Sequence, residues 1–204
     1  MNIPNLITLS RLVITAGVFV CLELAPDPRL PLKSPTPTLE GLAHANETLV
    51  WIAFVLFLVA AVTDFVDGWL ARRWNLVTAF GRVADPFADK VLIAGSLITL
   101  LQFPAATTVL TTWYVVIVVA REFLVTAIRG VVEATGKPFP ADRLGKWKMV
   151  SQCWTVAALI TMVAGTGFWV WAAQWGFWVS LALTVVSGLN YVVKARDVLF
   201  AGAR

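Results

Sequence analysis

Charge is what this chain most lacks. Only 12 acidic and 16 basic residues occur among 204, so 14% of the chain is charged, where a soluble domain carries roughly 25%. With 59% hydrophobic residues and a mean hydropathy of +0.80, that deficit excludes an ordinary water-soluble globule. Cysteine is nearly absent. Cys21 and Cys153 both fall in apolar runs, and apolar packing rather than a disulfide is expected for them. His44 is the lone histidine. It has no Cys, His or Asp at ligand spacing, so solvated surface is expected rather than a metal site. No internal repeat is visible, and low complexity is confined to one Pro-rich stretch. A cleavable leader is not evident either, because Arg11 interrupts the first apolar run and no clear small-residue cleavage site follows.

What the chain has in quantity is apolar length. A helix needs about 20 apolar residues to cross a bilayer, and six stretches qualify: roughly 6–25, 49–71, 84–103, 110–133, 149–167 and 171–193. The expectation is all-α: one polytopic membrane domain spanning 1–204, with six transmembrane helices. Pro4 suits a first helical turn, so residues 1–11 are expected to form a short interfacial helix on the inner surface. The segment 26–48, with Pro26, Pro28, Pro31, Pro35 and Pro37, predicts an extended outer loop. Lys and Arg set orientation. The connections 72–83 and 134–148 hold Arg72, Arg73, Arg82, Lys137, Arg143, Lys146 and Lys148, and the C-terminal tail holds Lys194, Arg196 and Arg204. The connections 104–110 and 168–170 hold none, so both termini are expected on the cytoplasmic side. The pI near 9.4 follows from that asymmetry and points to anionic lipid head groups rather than nucleic acid. Most of the ten Trp residues fall near span ends, as interfacial anchors do.

Four of the twelve acids stand together, at Asp64, Asp67, Asp85 and Asp89. The i, i+3 spacing of one pair and the i, i+4 spacing of the other put each pair on one helix face. A short connection between the helices allows all four to converge. Clustered carboxylates do not all stay ionised without cations, and oxygen ligands of this kind suit Mg²⁺, Mn²⁺ or Ca²⁺. A structural ion-pair cluster is the alternative, with Arg72, Arg73, Arg82 and Lys90 nearby. Gly68 and Gly81 add places where a ligand can approach backbone.

The run Asp64-x-x-Asp67-Gly68-x-x-Ala71-Arg72, eight residues, then Gly81-x-x-x-Asp85-x-x-x-Asp89 resembles the signature of the CDP-alcohol phosphotransferase family at every fixed position. The resemblance extends from Asn2 to Gln152. It implies two Mg²⁺ or Mn²⁺ ions held by the four Asp residues, Asp89 as general base, and Gly68, Ala71, Arg72, Thr78 and Gly81 around the cytidine and its phosphates. The start Pro4-Asn5-x-x-Thr8-x-x-Arg11 is similar to members that use CDP-diacylglycerol, which implies donor contacts for Asn5 and Thr8. The alternative for that segment is a capped helix start with Arg11 snorkelling to the surface.

Arg121-Glu122-Phe123 and Arg129, followed by Gly145-Lys146-x-Lys148-x-x-x-Gln152, resemble the branch of the family that makes phosphatidylglycerophosphate. Met149 stands where members usually carry Thr. Arg121 lies inside an apolar run, a costly place for charge, and Arg129 is eight residues on, on a similar face. The resemblance implies sn-glycerol 3-phosphate as acceptor, its phosphate taken by Arg121, Arg129 and Lys146. An Arg121–Glu122 pair that only fixes packing, and plain inside-positive topology for Arg143, Lys146 and Lys148, are the alternatives. Sibling acceptors (inositol phosphate, serine, phosphatidylglycerol) and, from another class, a divalent-cation transporter complete the field. Helices 149–167 and 171–193 carry no readable motif. A homodimer in a bacterial inner membrane, its site facing the cytoplasm, is the expected setting.

Overall fold

The computed structural model describes residues 3–25, 39–74, 79–134, 143–167 and 169–199. Among these the chain is all-helical: α1 Ile3–Glu23, α2 Leu39–Trp74, α3 Ala79–Leu100, the single turn α4 Pro104–Thr107, α5 Thr112–Ala134, α6 Arg143–Val163 and α7 Trp169–Leu199. Helix α1 packs between α2 and α3, α7 packs against α5 and α6, and α6 joins the two groups through contacts with α2 and α3.

Helix α7 inverts the soluble pattern. In α7 the buried stripe is Ala173, Phe177, Ser180, Thr184, Ser187, Tyr191 and Ala195, while Trp171, Trp175, Trp178, Val185, Val186, Leu189 and Val193 face outward. Hydroxyls inside and Trp, Val and Leu outside is the arrangement a lipid environment favours, because interior Ser and Thr give close packing and interhelical hydrogen bonds. Among the described residues three helices are long and apolar enough to cross a membrane, over Leu6–Glu23, Glu47–Asp64 and Trp169–Arg196.

The buried stripe of α1 reads Thr8, Arg11, Thr15, Val18 and Leu22, continued by Ala25 just past its end, with alternating steps of three and four residues. It is polar in its first half and apolar in its second. That division runs through the whole bundle. At one end, Val18, Leu22, Ala53, Phe57, Leu97, Leu100, Tyr114, Leu159 and Phe177 belong to one large core cluster. Gly95 lets α3 close on α1 there, since a Cβ would run into the Phe19 ring. At the other end the apolar core shrinks to Ile128, Val132 and Ala195 with Val192 against them, and polar side chains fill the interior.

Four expectations change. The outer loop predicted over 26–48 is helical from Leu39. The prolines end at Pro37, and the sequence that follows is rich in Leu, Glu and Ala, good helix formers; residues 26–38 lie outside the described ones. By sequence Pro86 suits a first helical turn, but α3 starts at Ala79 and holds Pro86 in its interior, where the missing N–H removes one helical bond. Residues Ile3–Glu23 form one uninterrupted helix, so the segment expected to lie along the surface is continuous with the first span. Lys194 and Arg196, expected in a tail, belong to the last turns of α7.

Candidate functional site

Two groups of charged side chains meet inside the polar end. The first is carried by α1 and α2. Arg11 is 1% exposed and ion-paired with Asp64, which is 21% exposed. Snorkelling is therefore not what Arg11 does: the residue sits on the buried stripe of α1, three and four residues from Thr8 and Thr15, and its guanidinium ends at α2. Asp67 follows Asp64 by one turn of the same helix.

The second group joins α5, α6 and α7. Glu122 accepts from Lys148 Nζ at 2.5 Å and from Arg121 Nη1 at 3.0 Å. Arg121 Nη2 donates to Ser187 Oγ at 2.9 Å. Two turns further along α5 and one turn further along α7, Arg129 Nη2 donates to Tyr191 Oη at 3.0 Å. The Tyr191 ring lies beneath both guanidiniums, 5.6 Å from Arg121 Cζ and 5.9 Å from Arg129 Cζ. Lys90 of α3 donates to Thr126 of α5. A buried charge triad such as Lys148–Glu122–Arg121 is weak evidence for stability, since desolvation offsets much of the attraction. Its presence in an apolar helix marks function or a fixed partnership.

Asp89 of α3 links the two groups. It is half-buried and within electrostatic reach of Asp64 and Arg11 on one side and of Glu122 and Lys148 on the other. Cys153 of α6 is under the same influence of Asp89, Asp64 and Lys148, so α6 lines this region too.

The sequence-predicted residues divide accordingly. Asp64 and Asp89 come together. Asp67 and Asp85 occupy helical positions one turn from each of them, and Asn5, Gly68, Ala71, Arg72 and Gly81 are also helical; the side chains of these residues are outside the description, as is Thr78 altogether. Thr8 is buried at 2%. Arg121 and Arg129 come together through Tyr191. Lys146 does not join them: it is exposed, whereas Lys148 is buried. Two residues apart on a helix means opposite faces, and α6 turns Lys148 inward. Among the described residues no group of three His, Cys, Asp or Glu side chains stands at metal-binding distance, a statement that leaves Asp67 and Asp85 aside. The donor set of Asp64 and Asp89 fits a hard divalent ion: these are carboxylate oxygens, each under the other's field.

Sequence reasoning missed Ser187 and Tyr191, which lie 66 and 62 residues from their arginines. A periodic signal exists in hindsight. Tyr114 and Ser180 share a 2.7 Å hydrogen bond, seven residues before Arg121 and Ser187, so α5 and α7 run in parallel and repeat one pairing over those two contacts.

A family model described as CDP-alcohol phosphatidyltransferase matches residues 1–186. The chain belongs to the CDP-alcohol phosphatidyltransferase family. Within this family it is similar to proteins named CDP-diacylglycerol–glycerol-3-phosphate 3-phosphatidyltransferase. The Bacillus subtilis (strain 168) protein is 37% identical over 97% of both chains. The Salmonella paratyphi A protein is 32% identical over 96% of this chain and 95% of its own. The Rickettsia typhi protein is 29% identical over 93% and 94%. Membership in a CDP-alcohol phosphatidyltransferase family makes the chain a transferase and removes the cation-transporter alternative.

Proposed function

We propose that this chain transfers the phosphatidyl group of CDP-diacylglycerol to sn-glycerol 3-phosphate, giving phosphatidylglycerophosphate and CMP. The observation that carries the acceptor is the pair Arg121 and Arg129. Both guanidiniums are tethered by α7, yet Nε of each is buried with no acceptor among the described residues. Buried donors are normally satisfied, and a phosphate supplies oxygens in the geometry that arginine matches. The names of the relatives agree with this acceptor.

The setting is a bacterial inner membrane crossed six times, by α1, α2, α3, α5, α6 and α7, with the first turns of α1 at the inner interface. Lys and Arg then lie on the cytoplasmic side with the polar end of the bundle. A homodimer is the proposed assembly.

Asp64, Asp67, Asp85 and Asp89 would hold one or two Mg²⁺ or Mn²⁺ ions, which supply charge neutralisation at the pyrophosphate and the departing CMP. Asn5, Thr8, Gly68, Ala71, Arg72, Thr78 and Gly81 bind the donor's head group. Arg121 and Arg129 orient the acceptor phosphate, with Lys148 taking the inward position expected of Lys146. The glycerol hydroxyl attacks the β-phosphorus, and the bond from that phosphorus to the CMP oxygen breaks. Asp89 takes the hydroxyl proton, a role supported by its reach to both the Arg11–Asp64 pair and the Glu122–Lys148 pair.

The test is direct. Purified protein is incubated with CDP-diacylglycerol and, separately, glycerol 3-phosphate, inositol phosphate, serine and phosphatidylglycerol, and the lipid formed is identified. Phosphatidylglycerophosphate with stoichiometric CMP is expected; another lipid product would replace the acceptor assignment.

A further inference from the structure

Helix α7 has no motif by sequence, and the transfer chemistry assigned above uses none of its residues. Yet three of its positions converge on the two arginines. Ser187 Oγ accepts from Arg121 at 2.9 Å. A Cβ on Gly188 would stand 3.1 Å from Arg121 Cγ, closer than ordinary van der Waals contact. Tyr191, 3% exposed, accepts from Arg129 at 3.0 Å and lies under both guanidiniums. Arginine side chains are long and have much rotamer entropy to lose on ordering. Without these neighbours each side chain would have to be ordered by the ligand itself, and binding would weaken accordingly.

We propose that Ser187, Gly188 and Tyr191 form a positioning cradle that pre-sets Arg121 and Arg129 for an acceptor phosphate. The proposal rests on the acceptor reading above. Tyr191 fixes the spacing of the two guanidiniums through one ring and one hydroxyl. Gly188 keeps α7 close enough for Ser187 to reach Arg121. None of the three touches the reacting phosphorus, so their removal acts through the arginines, on acceptor affinity.

The experiment measures kcat and KM for both substrates in the purified full chain carrying Tyr191→Phe, Gly188→Ala, Arg129→Ala, or Tyr191→Phe with Arg129→Ala. Tyr191→Phe keeps the ring and removes one hydroxyl. It should raise the KM for glycerol 3-phosphate about three- to tenfold, the range for one ordinary intramolecular hydrogen bond, and leave kcat and the CDP-diacylglycerol KM within twofold. Gly188→Ala should act in the same direction. In the Arg129→Ala background, Tyr191→Phe should add less than twofold, because its route is already gone. Full additivity would overturn the cradle for Tyr191, as would an unchanged acceptor KM in both Tyr191→Phe and Gly188→Ala. An Arg129→Ala variant with an unchanged acceptor KM would instead overturn the acceptor reading beneath it.

Discussion

Helix α3 passes through two different interiors. At Leu92, Leu97 and Leu100 it lies in an apolar core with Leu22, Phe57 and Leu159. At Asp89 it lies among Asp64, Arg11, Glu122 and Lys148. Eight residues, a little over two turns, separate Asp89 from Leu97. The apolar end is held by shape: side chains interlock, and no ion pair is recorded there among the described residues. The polar end is held by partnership, with each buried charge placed by another. In lipid the apolar end gains little from hydrophobicity, because the surrounding chains are equally apolar, so packing decides its stability. The polar end carries charges that are costly to bury. That cost is consistent with selection for chemistry rather than for stability.

If this division is right, perturbations at the polar end remove activity and those at the apolar end remove stability. The largest effect should come from the metal. Exhaustive chelation with EDTA should abolish CMP release, and added Mg²⁺ or Mn²⁺ should restore it. Undiminished turnover after chelation would leave the four Asp residues as an ion-pair cluster. Next in size is Asp89→Asn. Loss of a general base costs about 10²- to 10⁴-fold in kcat, and CDP-diacylglycerol binding should be at least partly retained. Asp67→Asn should lose binding as well as turnover. Near-normal kcat in Asp89→Asn would remove the base assignment.

How much of this was legible depended on distance along the chain. The Asp cluster was readable because its spacing is local: i, i+3 and i, i+4 on two consecutive helices. The apolar spans were readable for the same reason, as composition within one window. Arg11 was ambiguous because a long cationic side chain near a helix start can snorkel or turn inward; only the position of α2 decides, and that contact spans 53 residues. Lys146 and Lys148 posed the same problem in smaller form, since each side of a helix end accepts a lysine until its neighbours are known. Ser187, Gly188 and Tyr191 were invisible. Hydroxyls and glycine in a membrane helix are ordinary packing residues, and nothing local marks them as partners of α5.

A fourth perturbation sharpens the comparison within the polar end. Arg129→Ala removes one guanidinium and leaves the Asp cluster intact. Its phosphate contact should be worth about 1.5–3 kcal/mol, so the glycerol 3-phosphate KM should rise roughly ten- to a hundredfold. The CDP-diacylglycerol KM should barely change. The reverse pattern would assign Arg129 to the donor.

The smallest effect on activity should come from the apolar end, in Leu97→Ala. Leu97 is fully buried on the same helix as Asp89. In soluble proteins such a truncation costs about 2–5 kcal/mol, part of it lost transfer from water and part the cavity. In lipid the transfer part is largely absent, which leaves the low end of that range, about 2 kcal/mol. The thermal midpoint of the detergent-solubilised protein should fall, while kcat and both KM values, measured well below that midpoint, stay within twofold. The helix backbone is the only link between the two interiors along α3, and two turns of hydrogen-bonded helix do not transmit a missing isopropyl group unless the helix itself shifts. A marked loss of kcat with an unchanged thermal midpoint would mean that it does shift, and that the apolar end sets the position of Asp89 as well as the stability of the bundle.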